Sequence, residues 1–130
     1  MKPKYLLDTH AFVFAAVALP KLGAKARHLV ENAGAGEIAI TPDVITELGR
    51  LLHLDKLKLD GDPMKLFAAA IGRFPQVPMT LAAALKAPAL ALPHSDPHDR
   101  NIVASALDLG VPLITKDGNI TDSGIVATIW

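Results

Sequence analysis

The sequence predicts an α/β fold with a mostly parallel sheet, in one domain spanning residues 1–130. Three observations carry this. Short apolar runs alternate with stretches of helical period, the pattern of βαβ units. Two helices announce their start with a capping residue followed by proline, at Thr41-Pro42 and Asp96-Pro97. Carboxylates stand just after two of the apolar runs, where an open parallel sheet presents its ligand-binding ends.

The elements follow in order. Residues 4–7 read as a strand and 11–19 as a helix apolar nearly all round, closed by Pro20. Residues 24–33 form a helix with Ala26, Leu29, Val30 and Ala33 on one face, ended by Gly34 and Gly36. A strand over 37–40 leads to Thr41-Pro42, whose helix carries Val44, Ile45, Leu48, Leu51 and Leu52 at helical spacing. After a turn at 60–63 come a helix over 64–73, a short strand over 77–79 and a helix over 81–86. Asp96-Pro97 opens a helix that runs to Leu109 and closes at Gly110; strands over 111–115 and 126–130 complete the sheet.

Composition narrows the function. With 130 residues and 51% hydrophobic content the chain builds a core without staples. It has no cysteine, which excludes disulfides and thiolate metal sites and allows a reducing compartment. The apolar stretch over 11–19 is too short for a bilayer, and Asp8 and His10 interrupt the first apolar run as no signal peptide would. No membrane association and a cytoplasmic location are expected. Thirteen basic and thirteen acidic residues balance. That argues against a general nucleic-acid binder and leaves room for a basic rim around an acidic centre.

Four carboxylates are the candidate site: Asp8, Glu47, Asp99 and Asp117. Each has a plain alternative. Asp8 ends an apolar strand and could cap the next helix, although Thr9 would serve as that cap and free it. Glu47 lies at the margin of its helix's buried stripe and could be an ordinary surface glutamate. Asp96 takes the cap position before Pro97, which leaves Asp99, one turn in, to reach a site or to favour the helix N-terminus. Asp117 could belong to an Asp-Gly turn, and Asp122 to an ordinary loop. Gathered at one point, four acids require a cation or protons between them. A hard divalent ion held by oxygens answers that need.

The histidines His10, His28, His53, His94 and His98 show no paired metal spacing. GxxxxGK[ST], GxGxxG and GxSxG motifs are missing, so ATPase, dinucleotide and α/β-hydrolase readings lack support. A haloacid-type phosphatase needs an aspartate where His10 stands, and a receiver domain needs one near 77–80.

The stretches Leu6-Leu7-Asp8-Thr9-His10, Lys21-Leu22, Glu47, Lys56-Leu57-Lys58-Leu59, Asp96-Pro97-His98-Asp99-Arg100, Leu113-Ile114-Thr115-Lys116-Asp117 and the closing Trp130 together resemble the PIN-domain family. Within it, the closest likeness is to the VapC-type ribonuclease toxins of toxin–antitoxin modules. The resemblance implies an α/β/α sandwich and cleavage of RNA with Mg²⁺ or Mn²⁺ held by Asp8, Glu47, Asp99 and Asp117. It implies supporting roles for Thr9, Thr115 and Arg100, a cognate antitoxin as partner, and a homodimer. A housekeeping RNA-processing PIN nuclease and an inert PIN-fold binding module are the alternatives. Two positions depart from the family pattern: Thr46 stands where many relatives have tryptophan, and His98 where an apolar or aromatic residue is usual.

Further expectations follow. The four carboxylates should converge within a few ångströms of a common point. Asp8, Asp99 and Asp117 would hold metal, and Glu47 would hold a second ion or orient water. Lys21, Lys25, Arg50, Arg100 and Lys116 could rim the site and offset its charge. The helix over 11–19 offers more apolar surface (Phe12, Val13, Phe14, Ala16, Val17) than one core face needs; it is either wholly buried or part of a groove for an antitoxin segment.

Overall fold

A computed structural model describes residues 2–93 and 95–130; His94 lies outside the described residues. Among the described residues four strands form one sheet: β1 (Tyr5–Leu7), β2 (Ile38–Ala39), β3 (Leu113–Ile114) and β4 (Thr128–Ile129). Their order is β2-β1-β3-β4 and every pairing is parallel, with Leu6 opposite Ala39 and Leu113, Leu7 opposite Ile114, and Ile114 opposite Ile129. The helices are α1 (Thr9–Val17), α2 (Ala24–Asn32), α3 (Pro42–His53), α4 (Pro63–Arg73), α5 (Leu81–Lys86), α6 (Pro97–Leu109) and α7 (Gly118–Ser123). Short 3₁₀ turns occupy Leu19–Lys21 and Ala87–Ala89. No described helix is long and apolar enough to cross a membrane.

The strand runs are apolar because both faces of the sheet are covered. Leu6, Leu7, Leu113 and Ile114 are fully buried at its centre. Helix α1 is rich in β-branched and aromatic residues, which are mediocre helix formers. Burial and capping hold it instead: Phe12 packs 5.8 Å from the ring of Phe67 and 6.3 Å from that of Phe74, and Asp8 caps the first turn. Helix α6 ends at Gly110, whose φ of +70° is the left-handed conformation glycine adopts without strain.

Three local expectations are corrected. Residues 77–79 form no strand: β-pairing there is a single bridge from Gln76 to Ile40. Pro75 before this segment and Pro78 within it carry no N–H for a ladder. Thr41 sits at the N-cap of α3 but makes no side-chain capping bond; its buried hydroxyl is unpaired among the described residues. Residues 118–123, read as turn and loop, are helical, with Asp117 accepting the Ile120 amide at 3.1 Å.

The strand order sets the site. From β1 the chain crosses to one side for β2 and to the other for β3, so the order reverses between β1 and β3. That reversal opens a crevice at the strands' carboxyl ends. Asp8 follows β1 there, and Thr115, Lys116 and Asp117 follow β3.

Candidate metal centre

A cavity of about 390 Å³ occupies this crevice, lined in part by Asp8, Thr9, Glu47, Asp96, Asp99 and Asp117. All four candidate acids therefore face one space, together with the capping Asp96.

Each acid arrives by a different route. Asp8 is 7% exposed, and it caps α1 itself: Oδ1 accepts the Ala11 amide at 2.9 Å. Thr9 does not free it, and lies buried in the first helical position. The second oxygen, Oδ2, accepts a hydrogen bond from the Thr115 hydroxyl. Thr115 Oγ1 in turn accepts the Asp117 amide at 3.0 Å. Asp96 caps α6, accepting the Asp99 amide at 2.8 Å. Asp99 is half-buried, and no hydrogen bond to its carboxylate forms among the described residues. Glu47 reaches in from the middle of α3 and is 9% exposed. Its Oε1 accepts from Arg50 Nη1 at 3.2 Å, whereas buried Oε2 has no hydrogen-bond partner among the described residues.

The electrostatics are those of crowded anions. Burial, then the charges of Asp96, Asp117, Asp8 and Glu47, push the Asp99 carboxyl up from 3.8 to about 7. Burial also pushes the Asp8 carboxyl up, against the Thr115 and Ala11 hydrogen bonds that favour its ionised form. The expected convergence is looser than the sequence suggested. Among the described residues no three acid or histidine side chains are gathered at metal-ligand spacing. Mutual repulsion and separate helix caps keep these carboxylates spread around the wall.

The basic residues divide. Lys116 lines the cavity. Its ammonium stands 4.9 Å from the centroid of Phe14, where a cation is attracted to the ring face. Arg50 is tied to Glu47. Arg100 does not rim the cavity: it donates to the carbonyls of Leu90 and Leu92 at 2.7 Å each and so clamps the segment before α6. Lys25 borders a separate shallow depression with Tyr5 and His28.

Lys21 lines a second groove of about 510 Å³, which His10 joins to the acidic cavity. Val13, Phe14, Ala16 and Val17 of α1 form one wall, and Lys56, Leu57, Lys58 and Leu59 contribute another part. Helix α1 is thus divided: Phe12 and Val13 are buried, while Val17 is 38% exposed.

Sequence reading missed a polar cluster behind Glu47. His98 Nδ1 stands 3.1 Å from Asp43 Oδ1, and its Nε2 lies 3.7 Å from Glu47 Oε2. Asn101 Nδ2 donates to the same Asp43 oxygen at 3.0 Å. The one sequence signal was a ring with two nitrogens at position 98, beside Asp99.

The PIN domain family model matches residues 5–124, and the chain belongs to that family. Its fold is shared with solved structures, among them the following three. VapBC2 from Rickettsia felis, bound to a DNA fragment from its promoter, has a TM-score of 0.70 at 16% identity, covering 96% of each chain. FitAcB from Neisseria gonorrhoeae gives 0.69 at 18% identity, over 97% of this chain and 96% of that one. A toxin–antitoxin complex from Klebsiella pneumoniae gives 0.66 at 19% identity, with the same coverage. No curated protein matches the sequence.

Proposed function

We propose that this protein is a metal-dependent endoribonuclease, the toxin of a toxin–antitoxin pair. One observation carries the reading: Asp8, Glu47, Asp99 and Asp117 face a single cavity at the sheet's switch point, with Asp99 pushed to about 7 by its anionic neighbours. Those residues suit a hard cation. The donors are all carboxylate oxygens, and the orphaned Oε2 of Glu47 is buried with nothing to satisfy it among the described residues. Mg²⁺ keeps several of its waters, so it does not require a closed cage of protein ligands.

Asp8, Asp99 and Asp117 would hold Mg²⁺ or Mn²⁺, with Glu47 as a further ligand or as the acceptor that aligns the attacking water. When bound, the ion supplies positive charge to phosphate oxygens and acidifies water. Asp8 and Asp117 are fixed in place by backbone amides, so their carboxylates need little reordering. Asp99 releases its proton to serve as a ligand. Lys116 at the cavity edge offsets the acids' repulsion of an RNA backbone. Hydrolysis by water on this plan leaves 5′-phosphate and 3′-hydroxyl ends. The antitoxin assignment draws on the structural neighbours, which are toxin–antitoxin assemblies, and on the half-apolar, lysine-bearing groove beside the site.

The test is incubation of the purified chain with single-stranded RNA, in Mg²⁺ and in excess chelator. Cleavage with 5′-phosphate ends, lost in chelator, is expected. Cleavage that persists in chelator would remove the metal from the mechanism, and complete inactivity in Mg²⁺ and in a parallel Mn²⁺ reaction would favour an inert binding module.

A further inference from the structure

We propose that His98, anchored by Asp43, is a positioning residue for Glu47. The inference rests on the nuclease reading above and adds a residue to that site. Glu47 differs from the other acids in how it is held. Asp8 and Asp117 are short side chains fastened to backbone amides at helix starts. Glu47 projects from mid-helix through three rotatable bonds, and no backbone amide fixes its carboxylate among the described residues. Its one hydrogen bond among the described residues comes from Arg50, itself about half exposed, to Oε1; the His98 ring stands against Oε2 with Nε2 at 3.7 Å, beyond hydrogen-bond reach.

The ring can act as a restraint because it is itself restrained. Asp43 is an acceptor only, so Nδ1–H donates to its Oδ1 across 3.1 Å; in the neutral ring Nε2 then carries no proton, so His98 positions Glu47 through this tie between helices and not by a bond to Oε2. Asn101 holds the same Asp43 oxygen from the other side. The cluster ties the first turn of α3 to the first turns of α6, the two helices that carry Glu47 and Asp99. His98 does not line the acidic cavity, so it acts on Glu47 from behind. Outer residues of this kind orient a ligand and commonly cost 10–100-fold in metal affinity or activity when removed.

His98→Phe keeps a planar ring and removes both nitrogens. The primary measurement is Mn²⁺ binding without RNA, followed by electron paramagnetic resonance, in the parent, His98→Phe, Glu47→Gln and the double variant. Weakening of about tenfold is expected for His98→Phe in the parent background, and no further weakening in the Glu47→Gln background. With RNA present, kcat should fall by a similar factor while KM holds, and His98→Gln, which retains an N–H donor, should recover part of the loss.

An equal loss in both backgrounds would show that His98 acts elsewhere, and would overturn the proposal. So would unchanged Mn²⁺ affinity in His98→Phe, or a loss of kcat that His98→Gln does not relieve. If the parent binds Mn²⁺ with the expected coupling but cuts no RNA, the nuclease reading fails and the positioning role stands. A parent that binds no Mn²⁺ overturns both.

Discussion

The Thr115 hydroxyl donates to Oδ2 of Asp8 across the carboxyl ends of neighbouring parallel strands, and the same hydroxyl oxygen accepts the Asp117 amide at 3.0 Å. One side chain, 1% exposed, thereby joins the two acids that follow β1 and β3. Thr115→Val keeps the shape and deletes the hydroxyl. It leaves a carboxylate oxygen and a backbone amide without their partner, and should cost about 1–3 kcal/mol. Urea denaturation checks this; an unchanged midpoint would show that water replaces the hydroxyl.

Stability of the metal-free protein should depend on pH with an unusual sign. Asp99 titrates at about 7 in the fold and near 3.8 in the unfolded chain. Between those values the native state binds a proton that the unfolded state has released. Stability is therefore greatest on the acid side and falls as pH rises from about 4 towards 7. Asp8, also pushed up by burial, acts in the same direction. Urea midpoints across this window in chelator should fall with pH, and Asp99→Asn should flatten the slope. A rising midpoint would contradict the anionic crowding.

Asp99→Asn should abolish RNA cleavage, by about a hundredfold or more, beyond the range typical of an outer-shell residue. Metal-free stability should be unchanged or slightly higher, because one repelling anion is gone. Asp96→Asn is the comparison: it retains a capping side chain and should cut RNA at near the parental rate. Reversal of the two results would make Asp96 the ligand and Asp99 the helix-end charge.

The cap-proline pairs were readable because proline and its neighbour act locally: α3 and α6 begin at Pro42 and Pro97 as expected. Helix α7 was not readable. Gly118, Asn119, Thr121 and Ser123 are poor helix formers, and Ile120 is its one buried residue among those described. What holds α7 is its cap, and the strand before that cap is fixed only by tertiary pairing. The four acids could be picked out by their places along the elements, and the strand order accounts for where Asp8 and Asp117 meet. The double duty of Asp8 was not legible, because Thr9 offered an equal cap. The contact between Asp43 and His98 spans 55 residues of sequence, so no local pattern could announce it.

Gly23 marks a close approach. A Cβ there would lie 2.5 Å from the main-chain carbonyl of Trp130, which accepts the Lys25 and Ala26 amides at 3.1 Å each. Gly23→Ala should push Trp130 off the start of α2 and destabilise by about 1–3 kcal/mol, the usual cost of overpacking. Tryptophan fluorescence and thermal unfolding together check it: a red-shifted spectrum with a lowered Tm is expected.

Antitoxin binding should compete with Mg²⁺ if an arginine of the partner occupies the acidic cavity, since its planar fork bonds carboxylates in bidentate fashion. Each ligand would then weaken the other by the same factor. Antitoxin affinity measured across a Mg²⁺ titration at constant ionic strength should decline. Indifference to Mg²⁺ would point to occlusion of the neighbouring groove alone.

Helices α1, α6 and α7 all begin at the cavity, and the acids Asp8, Asp96 and Asp117 are their first fastenings. These three residues would be retained by selection for folding alone, in a descendant that had lost all activity. Asp99 and Glu47 accept no helix-capping bond among the described residues. If the chain is the proposed nuclease, they are the pair whose loss would mark a silent copy, and a surviving Asp8 or Asp117 would say little about activity.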